Sequence, residues 1–172
     1  MERVSVFDNI VKQLVRHEGL RLDAYPDIKG VLTIGIGHNC KARPVPGVFA
    51  PGSTITKQQA YDLLKIDIAI AESAMLGRWP WIRQLDDARY GVLLNMAFNL
   101  GASKLSEFSN TLRYIQAGDY RQAAINMLKS LWAKQVGDFP PDSPGARRTG
   151  RPGRAWELAE QMCTGKWQGV EQ

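Results

Sequence analysis

No stretch of this sequence carries the roughly 18 consecutive apolar residues that a membrane-spanning helix requires, so no transmembrane segment is expected. The opening residues, MERVSVFDNIVKQ, interrupt their apolar side chains with Glu2, Arg3, Asp8 and Lys12. They form no h-region, and neither a signal peptide nor a signal anchor is expected. Cysteine is scarce. Cys40 and Cys163 show neither metal-ligand spacing nor a C-x-x-C pattern, which argues against a disulfide framework or a zinc site. Without a secretory signal, both are expected to be free thiols. No internal repeat and no low-complexity tail stands out, and no cofactor or metal is expected. Acidic residues are outnumbered, 17 against 22 lysines and arginines, for a net charge of +5. That excess favours an anionic partner such as nucleic acid, acidic membrane or wall polymer, without choosing among them.

At 172 residues, 44% hydrophobic and 23% charged, the chain has the mix of one globular domain or two small lobes on a shared core. Phe7, Ile10, Val11, Leu14 and Val15 recur at helical spacing, with Ser5 and Asp8 as a capping-box pattern and Gly19 as the stop. Continuing that stripe leads to Glu18. A carboxyl group therefore stands on an apolar face, at the helix end where the dipole disfavours negative charge. From Arg21 to His38 the period changes: Leu32, Ile34 and Ile36 alternate with Val31, Thr33, Gly35 and Gly37 after the turn formers Pro26, Asp27 and Gly30, which predicts a small antiparallel sheet. Helix resumes at Thr56, capped with Gln59, and a largely buried helix runs from Asp86 to Leu100. A short helix is expected after Ser109. A long stripe from Asp119 reaches Leu131, and a last helix covers Arg154 to Cys163. Residues 137–153, rich in Pro and Gly, read as loop. The fold class is α+β, mostly α.

Three polar residues stand within sixteen positions: Glu18 at the helix end, Asp27 in the turn and Thr33 on the following strand. Cleaving a glycosidic bond needs an acid to protonate the leaving oxygen and usually a second carboxylate opposite it. An acid for that step must hold its proton near neutral pH, which an apolar setting favours. Glu18 is expected in such a setting, and Asp27, in a wet turn, is suited to serve as a base. The run E18-G-L-R-L-D-A-Y25-P-D27-I-K-G30-V-L-T33-I-G35-I-G37-H38 resembles the bacteriophage-type lysozymes, the endolysins of glycoside hydrolase family 24, whose signature is Glu-Gly at a helix end, Asp nine residues on, then Thr-Ile-Gly-x-Gly-His. N95-M-A-F-N-L-G101, F108-S-N-T-L-R113, A123-A-I-N-M-L-K-S-L-W132 and T164-G-K-W167 are similar to the family's helical lobe and C-terminal end.

The resemblance implies one lysozyme-like domain over 1–172, with a small sheet lobe at about 20–55 and a helical lobe from 1–19 and 56–172. It implies a muramidase acting on bacterial peptidoglycan, with Glu18 as general acid, Asp27 as base and Thr33 sharing the attacking water. Inversion at the anomeric carbon is expected, for which carboxyl groups stand roughly 6.5–9.5 Å apart. Asn39, Phe98, Thr111 and Asn126 match positions lining the family's glycan cleft, and Asn99 beside Phe98 is a further cleft candidate. Relatives place an arginine behind the catalytic Glu; Arg147, Arg148, Arg151 and Arg154 all compete for that place. The chain is expected to act as a monomer, to wait in the host cytoplasm for release through a holin-type lesion or to travel on the virion, and to meet other anionic wall or outer-membrane polymers besides peptidoglycan.

His38 is expected to pair structurally with Asp67, which falls in the apolar stripe of residues 60–75 and needs a partner if buried. Trp79 and Trp81 flank Pro80 in a loop and read as packing residues, as do Trp132, Trp156 and Trp167. Three competing functions are weighed. A lytic transglycosylase works with one acid and has no use for the water-holding pair Asp27 and Thr33. A silent wall-binding or phage-structural protein has no need of all three residues. A nucleic-acid-binding domain would exploit Arg147, Arg148, Arg151 and Arg154, but no aromatic-basic motif accompanies them, and no nucleic acid is expected as a partner.

Overall fold

A computed structural model describes residues 4–170. Helix α1 (Val4–Glu18) buries Val6, Ile10 and Leu14. It stops where Gly19 turns to φ +77° while still donating to the Val15 carbonyl at 2.9 Å, a glycine ending of the common kind. The backbone of Ser5 is already helical, which corrects its reading as the cap; its side chain lies outside what is described. Strands β1 (Arg21–Pro26), β2 (Leu32–Gly35) and β3 (His38–Asn39) form an antiparallel sheet in the order β1-β2-β3. Tyr25 stands opposite Thr33, and Thr33 opposite Asn39.

The helical part follows. Helix α2 (Lys57–Arg78) opens on the full Thr56–Gln59 capping box. A 3-10 turn at Pro80–Gln84 replaces the loop expected around Pro80, and Trp79 and Trp81 pack against the core there. Helix α3 (Asp87–Leu100), capped by Asp86, is buried along most of its length. Then come α4 (Ala102–Leu105), α5 (Ser109–Gln116), α6 (Tyr120–Leu128), α7 (Leu131–Val136), α8 (Pro144–Thr149) and α9 (Arg154–Thr164).

Two further expectations are corrected. The stripe from Asp119 to Leu131 is two helices, because the Ser130 hydroxyl accepts from Ala133 N and caps a new one. The supposed loop 137–153 contains α8, capped by Ser143 with Pro144 at its first position, where a missing N–H costs nothing.

Among the described residues, two apolar clusters form the interior. The larger joins Ile10 and Leu14 of α1, Ile68 and Met75 of α2, much of α3, Met127 of α6 and Leu158 and Met162 of α9. The smaller, beneath the sheet, holds Ala24, Ile34, Cys40, Val45, Val48, Ile55 and Ala60. Helix α2 belongs to both, through Ala60 at one end and Ile68 further along. Its rigidity therefore fixes the sheet relative to the end of α1, where Glu18 emerges.

Candidate active site

Glu18 is the last residue of α1, and its side chain is 22% exposed. Its setting differs from the apolar one expected. Arg154, from the first turn of α9, donates from Nη1 to Glu18 Oε1 at 2.5 Å, so of the four competing arginines Arg154 is the one that grips the carboxyl group. The other side of that group lies over Gly37: a Cβ there would come within 3.2 Å of Oε2. Gly37 has φ +71°. Glycine is required twice over, for its backbone angle and for the room it leaves Glu18.

Asp27 follows β1 and is half-buried. Its Oδ1 accepts from the backbone N–H groups of Lys29 and Val31, both at 2.8 Å, as aspartate does when it organises a turn. Among the described residues no hydrogen bond engages its Oδ2. The buried Thr33 donates its hydroxyl to the Val31 carbonyl at 3.0 Å, leaving the hydroxyl's lone pairs to accept. Asp27 and Thr33 are thus tied to the N–H and C=O of one residue, Val31, which sets their mutual position. Tyr25, on β1, was not foreseen. Burial pushes its phenol pKa up; the Arg21 cation, 4.0 Å over its ring, opposes the rise, while Glu18 and Asp27 both add to it. Tyr25 is therefore within electrostatic reach of both carboxylates.

Behind Glu18 lies a buried polar network that the sequence reading missed. The Arg154 Nε and Nη2 groups both donate to Asn95 Oδ1, at 3.0 and 2.7 Å. Asn95 Nδ2 donates to Gln13 Oε1 at 2.9 Å and meets His17 Nδ1 at 3.3 Å. Gln13 Nε2 donates to Gln161 Oε1 at 2.8 Å and to the Gln168 carbonyl at 3.0 Å, and Gln161 Nε2 to the Ala88 carbonyl at 2.8 Å. His17 Nε2 lies 2.8 Å from Glu157 Oε2, and Arg16 bonds Glu157 Oε1 at 2.8 Å. Burial drives the His17 pKa below its ordinary value; the bond to Glu157 opposes this, and the cations Arg154 and Arg151 assist it. Burial pushes Glu157 up, but the hydrogen bonds from His17 and Arg16 outweigh it and hold that carboxyl below its usual range. Gln13 and His17 stand three and seven residues along the stripe from Ile10; polar residues at core positions were the signal.

The remaining candidates fall in two groups. His38 Nδ1 lies 2.7 Å from Asp67 Oδ2, and His38 Nε2 lies 2.8 Å from the Arg43 carbonyl. Arg43 Nη2 also donates to Asp67 Oδ1 at 2.6 Å, a partner the sequence reading did not supply. Asn39 is exposed, and its Oδ1 accepts from the N–H groups of Lys41 and Ala42. On the helical side, buried Thr111 donates to Asn126 Oδ1 at 3.2 Å, and Asn99 Oδ1 accepts from Trp132 Nε1 at 2.8 Å. Asn126 and Trp132 line an open cavity of about 500 Å³ together with Phe108, Lys104 and Lys129, while Phe98 is half-buried against the main core. No helix among the described residues is long and apolar enough to cross a membrane.

A model of the phage lysozyme family matches residues 15–148, a span that includes Glu18, Asp27 and Thr33. The chain is 37% identical over 148 residues to the endolysin of Salmonella phage P22, covering 84% of this chain and 94% of that one. It is 32% identical over 126 residues to an endolysin of Acyrthosiphon pisum secondary endosymbiont phage 1, covering 73% and 80% of the two chains. It is also 32% identical over 149 residues to the pre-baseplate central spike protein Gp5 of Enterobacteria phage T4, covering 74% of this chain and 25% of the spike protein. This chain belongs to the phage lysozyme family.

Proposed function

We propose that this endolysin hydrolyses the β-1,4 bond between N-acetylmuramic acid and N-acetylglucosamine in peptidoglycan by a single, inverting displacement. Peptidoglycan hydrolysis itself follows from membership of the family; the residue roles are the proposal. Glu18 is the general acid. Its Oε1 is occupied by Arg154, so Oε2 carries the proton to the glycosidic oxygen as the C1–O bond breaks. Asp27 is the base. A water donates one hydrogen to Asp27 Oδ2 and the other to the Thr33 hydroxyl oxygen, which keeps its lone pair directed at C1. The new C1–O bond forms as Asp27 takes the proton, and the product is the α-anomer.

The observation that carries this reading is the shared anchoring of Asp27 and Thr33 on Val31, which leaves a carboxylate oxygen and a hydroxyl lone pair to hold one water. The glycan would lie between sheet and helices, with Asn39, Phe98, Asn99, Thr111 and Asn126 along its path. Release from the host cytoplasm to the wall fits the endolysin relatives, and transport on the virion fits the spike-protein likeness. Proton NMR of the first product, read before mutarotation, tests the mechanism: an α-anomer is expected. A β-anomer, or a glycosyl adduct on Asp27, refutes inversion. Glu18→Gln should release no muropeptides by mass spectrometry, and release near the wild-type rate would remove Glu18 as the acid.

A further inference from the structure

We propose that His17 is a positioning residue for the reaction, acting through its neutral Nε2–H tautomer to hold the Asn95 amide with its oxygen toward Arg154, and so Arg154 against Glu18. This rests on Glu18 being the general acid.

The polarity of the buried network leads to it. A backbone carbonyl only accepts, so the Ala88 and Gln168 carbonyls require Nε2 of Gln161 and of Gln13 to face them. Gln161 Oε1 is then the acceptor for Gln13, and Gln13 Oε1 the acceptor for Asn95 Nδ2. Asn95 is left with its oxygen toward the two N–H groups of Arg154. One hydrogen of Asn95 Nδ2 goes to Gln13; the other meets His17 Nδ1 at 3.3 Å. That ring nitrogen has to accept, so the proton sits on Nε2, which donates to Glu157 Oε2.

Each member satisfies the next without conflict. A protonated ring would present Nδ1–H to the Asn95 N–H, donor against donor, and the amide could relieve this only by turning its nitrogen toward Arg154. The groups facing His17 are the anion Glu157 and the cations Arg154 and Arg151, the latter also reaching its carbonyl at 3.5 Å. Burial and the two cations favour the neutral ring, in line with its lowered pKa. Catalysis needs the acid fixed within a fraction of an ångström, and a guanidinium held by a locked amide supplies that without reorganisation.

Two substitutions separate positioning from packing. An asparagine at position 17 places an amide oxygen where Nδ1 stands, keeping an acceptor for Asn95 and losing the donor to Glu157. A glutamine places an amide nitrogen where Nε2 stands, keeping the Glu157 bond and losing the acceptor. Rates are measured on solubilised glycan strands, per folded molecule, with thermal unfolding alongside and Glu18→Gln as the inactive reference. His17→Gln should lower kcat about tenfold with KM little changed, the size of about one lost charge-assisted hydrogen bond in the transition state. His17→Asn should keep kcat within about threefold even where its Tm is the lower of the two. Equal kcat per folded molecule in both variants, or a larger loss in His17→Asn, overturns the proposal. An active Glu18→Gln would bring down the acid assignment and the proposal with it; an inactive Glu18→Gln beside a fully active His17→Gln removes the proposal alone.

Discussion

Replacing Gly37 with alanine perturbs two things whose sizes the structure separates. The first is backbone strain: Gly37 has φ +71°, where a residue with a Cβ costs about 1–2 kcal/mol. The second is contact. The new methyl would lie 3.2 Å from Glu18 Oε2 and 3.3 Å from its Cδ and Cγ, inside the roughly 3.5–4.0 Å of ordinary packing. Glu18 cannot retreat as a unit because Arg154 holds Oε1, so the carboxyl group must turn and Oε2 must move. Gly118→Ala serves as the control. Its φ is +77° and nothing lies within 4 Å of its added Cβ, so it carries the backbone cost alone. Both variants should melt about 2–8 °C below wild type. Only Gly37→Ala should lose rate, by about tenfold or more, since an ångström of misplacement costs up to about a hundredfold. The assay is muropeptide release per folded molecule, with thermal denaturation alongside. A Gly37→Ala variant with the wild-type rate would show that the contact does not constrain Glu18 for the proposed reaction.

Acid should destabilise the fold. Both His17 and Glu157 titrate below their ordinary values of 6.5 and 4.5, so the unfolded chain binds more protons through both windows, and stability present at neutral pH is lost as pH falls below 6.5 and again below 4.5. A Tm unchanged between about pH 7 and 4 would contradict this. His38→Ala should cost about 1–3 kcal/mol rather than the 3–5 kcal/mol of an orphaned buried charge, because Arg43 still bonds Asp67. Calorimetry measures the cost, and an unchanged Tm with lost activity would move His38 into the mechanism. Lysis of whole walls should weaken steeply between about 0.1 and 1 M salt, as the screening length drops from about 10 to 3 Å, while cleavage of a short neutral oligosaccharide responds less. Equal sensitivity on both substrates removes charge steering. Thr33→Val should lose much of kcat with little change in KM, a split that steady-state kinetics reads directly; a rise in KM alone would make Thr33 a binding residue.

The parts of the candidate site whose placement the sequence made legible are those whose meaning is local. Glu18, Asp27 and Thr33 lie on one short span whose helix end, turn and strand follow from neighbouring residues, and the Thr56 and Asp86 caps need only three further positions. Arg154 was beyond reach because four arginines share one Pro- and Gly-rich region, and which of them meets Glu18 depends on how α9 docks. The expectation of an apolar pocket failed for the same reason: the α1 stripe is apolar, but the residue opposite its end comes from 136 positions away. The missed helix α8 and the break before α7 have a local cause that was passed over, serine caps at Ser143 and Ser130. Gln13, His17 and Asn95 sat on faces read as core, and their polarity there was the unread clue.

The arginine beside Glu18 becomes intelligible once charge is followed through the proposed reaction. Giving up a proton to the leaving oxygen would leave a carboxylate on Glu18, so a cation 2.5 Å away gains most as the proton leaves. An interaction stronger in the transition state than in the ground state lowers the barrier. That benefit requires the cation to be in place beforehand, since a guanidinium that had to swing in would forfeit the gain to reorganisation. Arg154 is only 5% exposed and is held on its far side by Asn95, whose own orientation descends from the Ala88 and Gln168 carbonyls through two glutamines. Three helices meet in this arrangement: α1 brings Gln13, His17 and Glu18, α3 brings Asn95, and α9 brings Arg154, Glu157 and Gln161. The proposed acid is therefore assembled by tertiary docking and not by its motif, and any variant that loosens α9 should lose rate before it loses its sheet or its main helices.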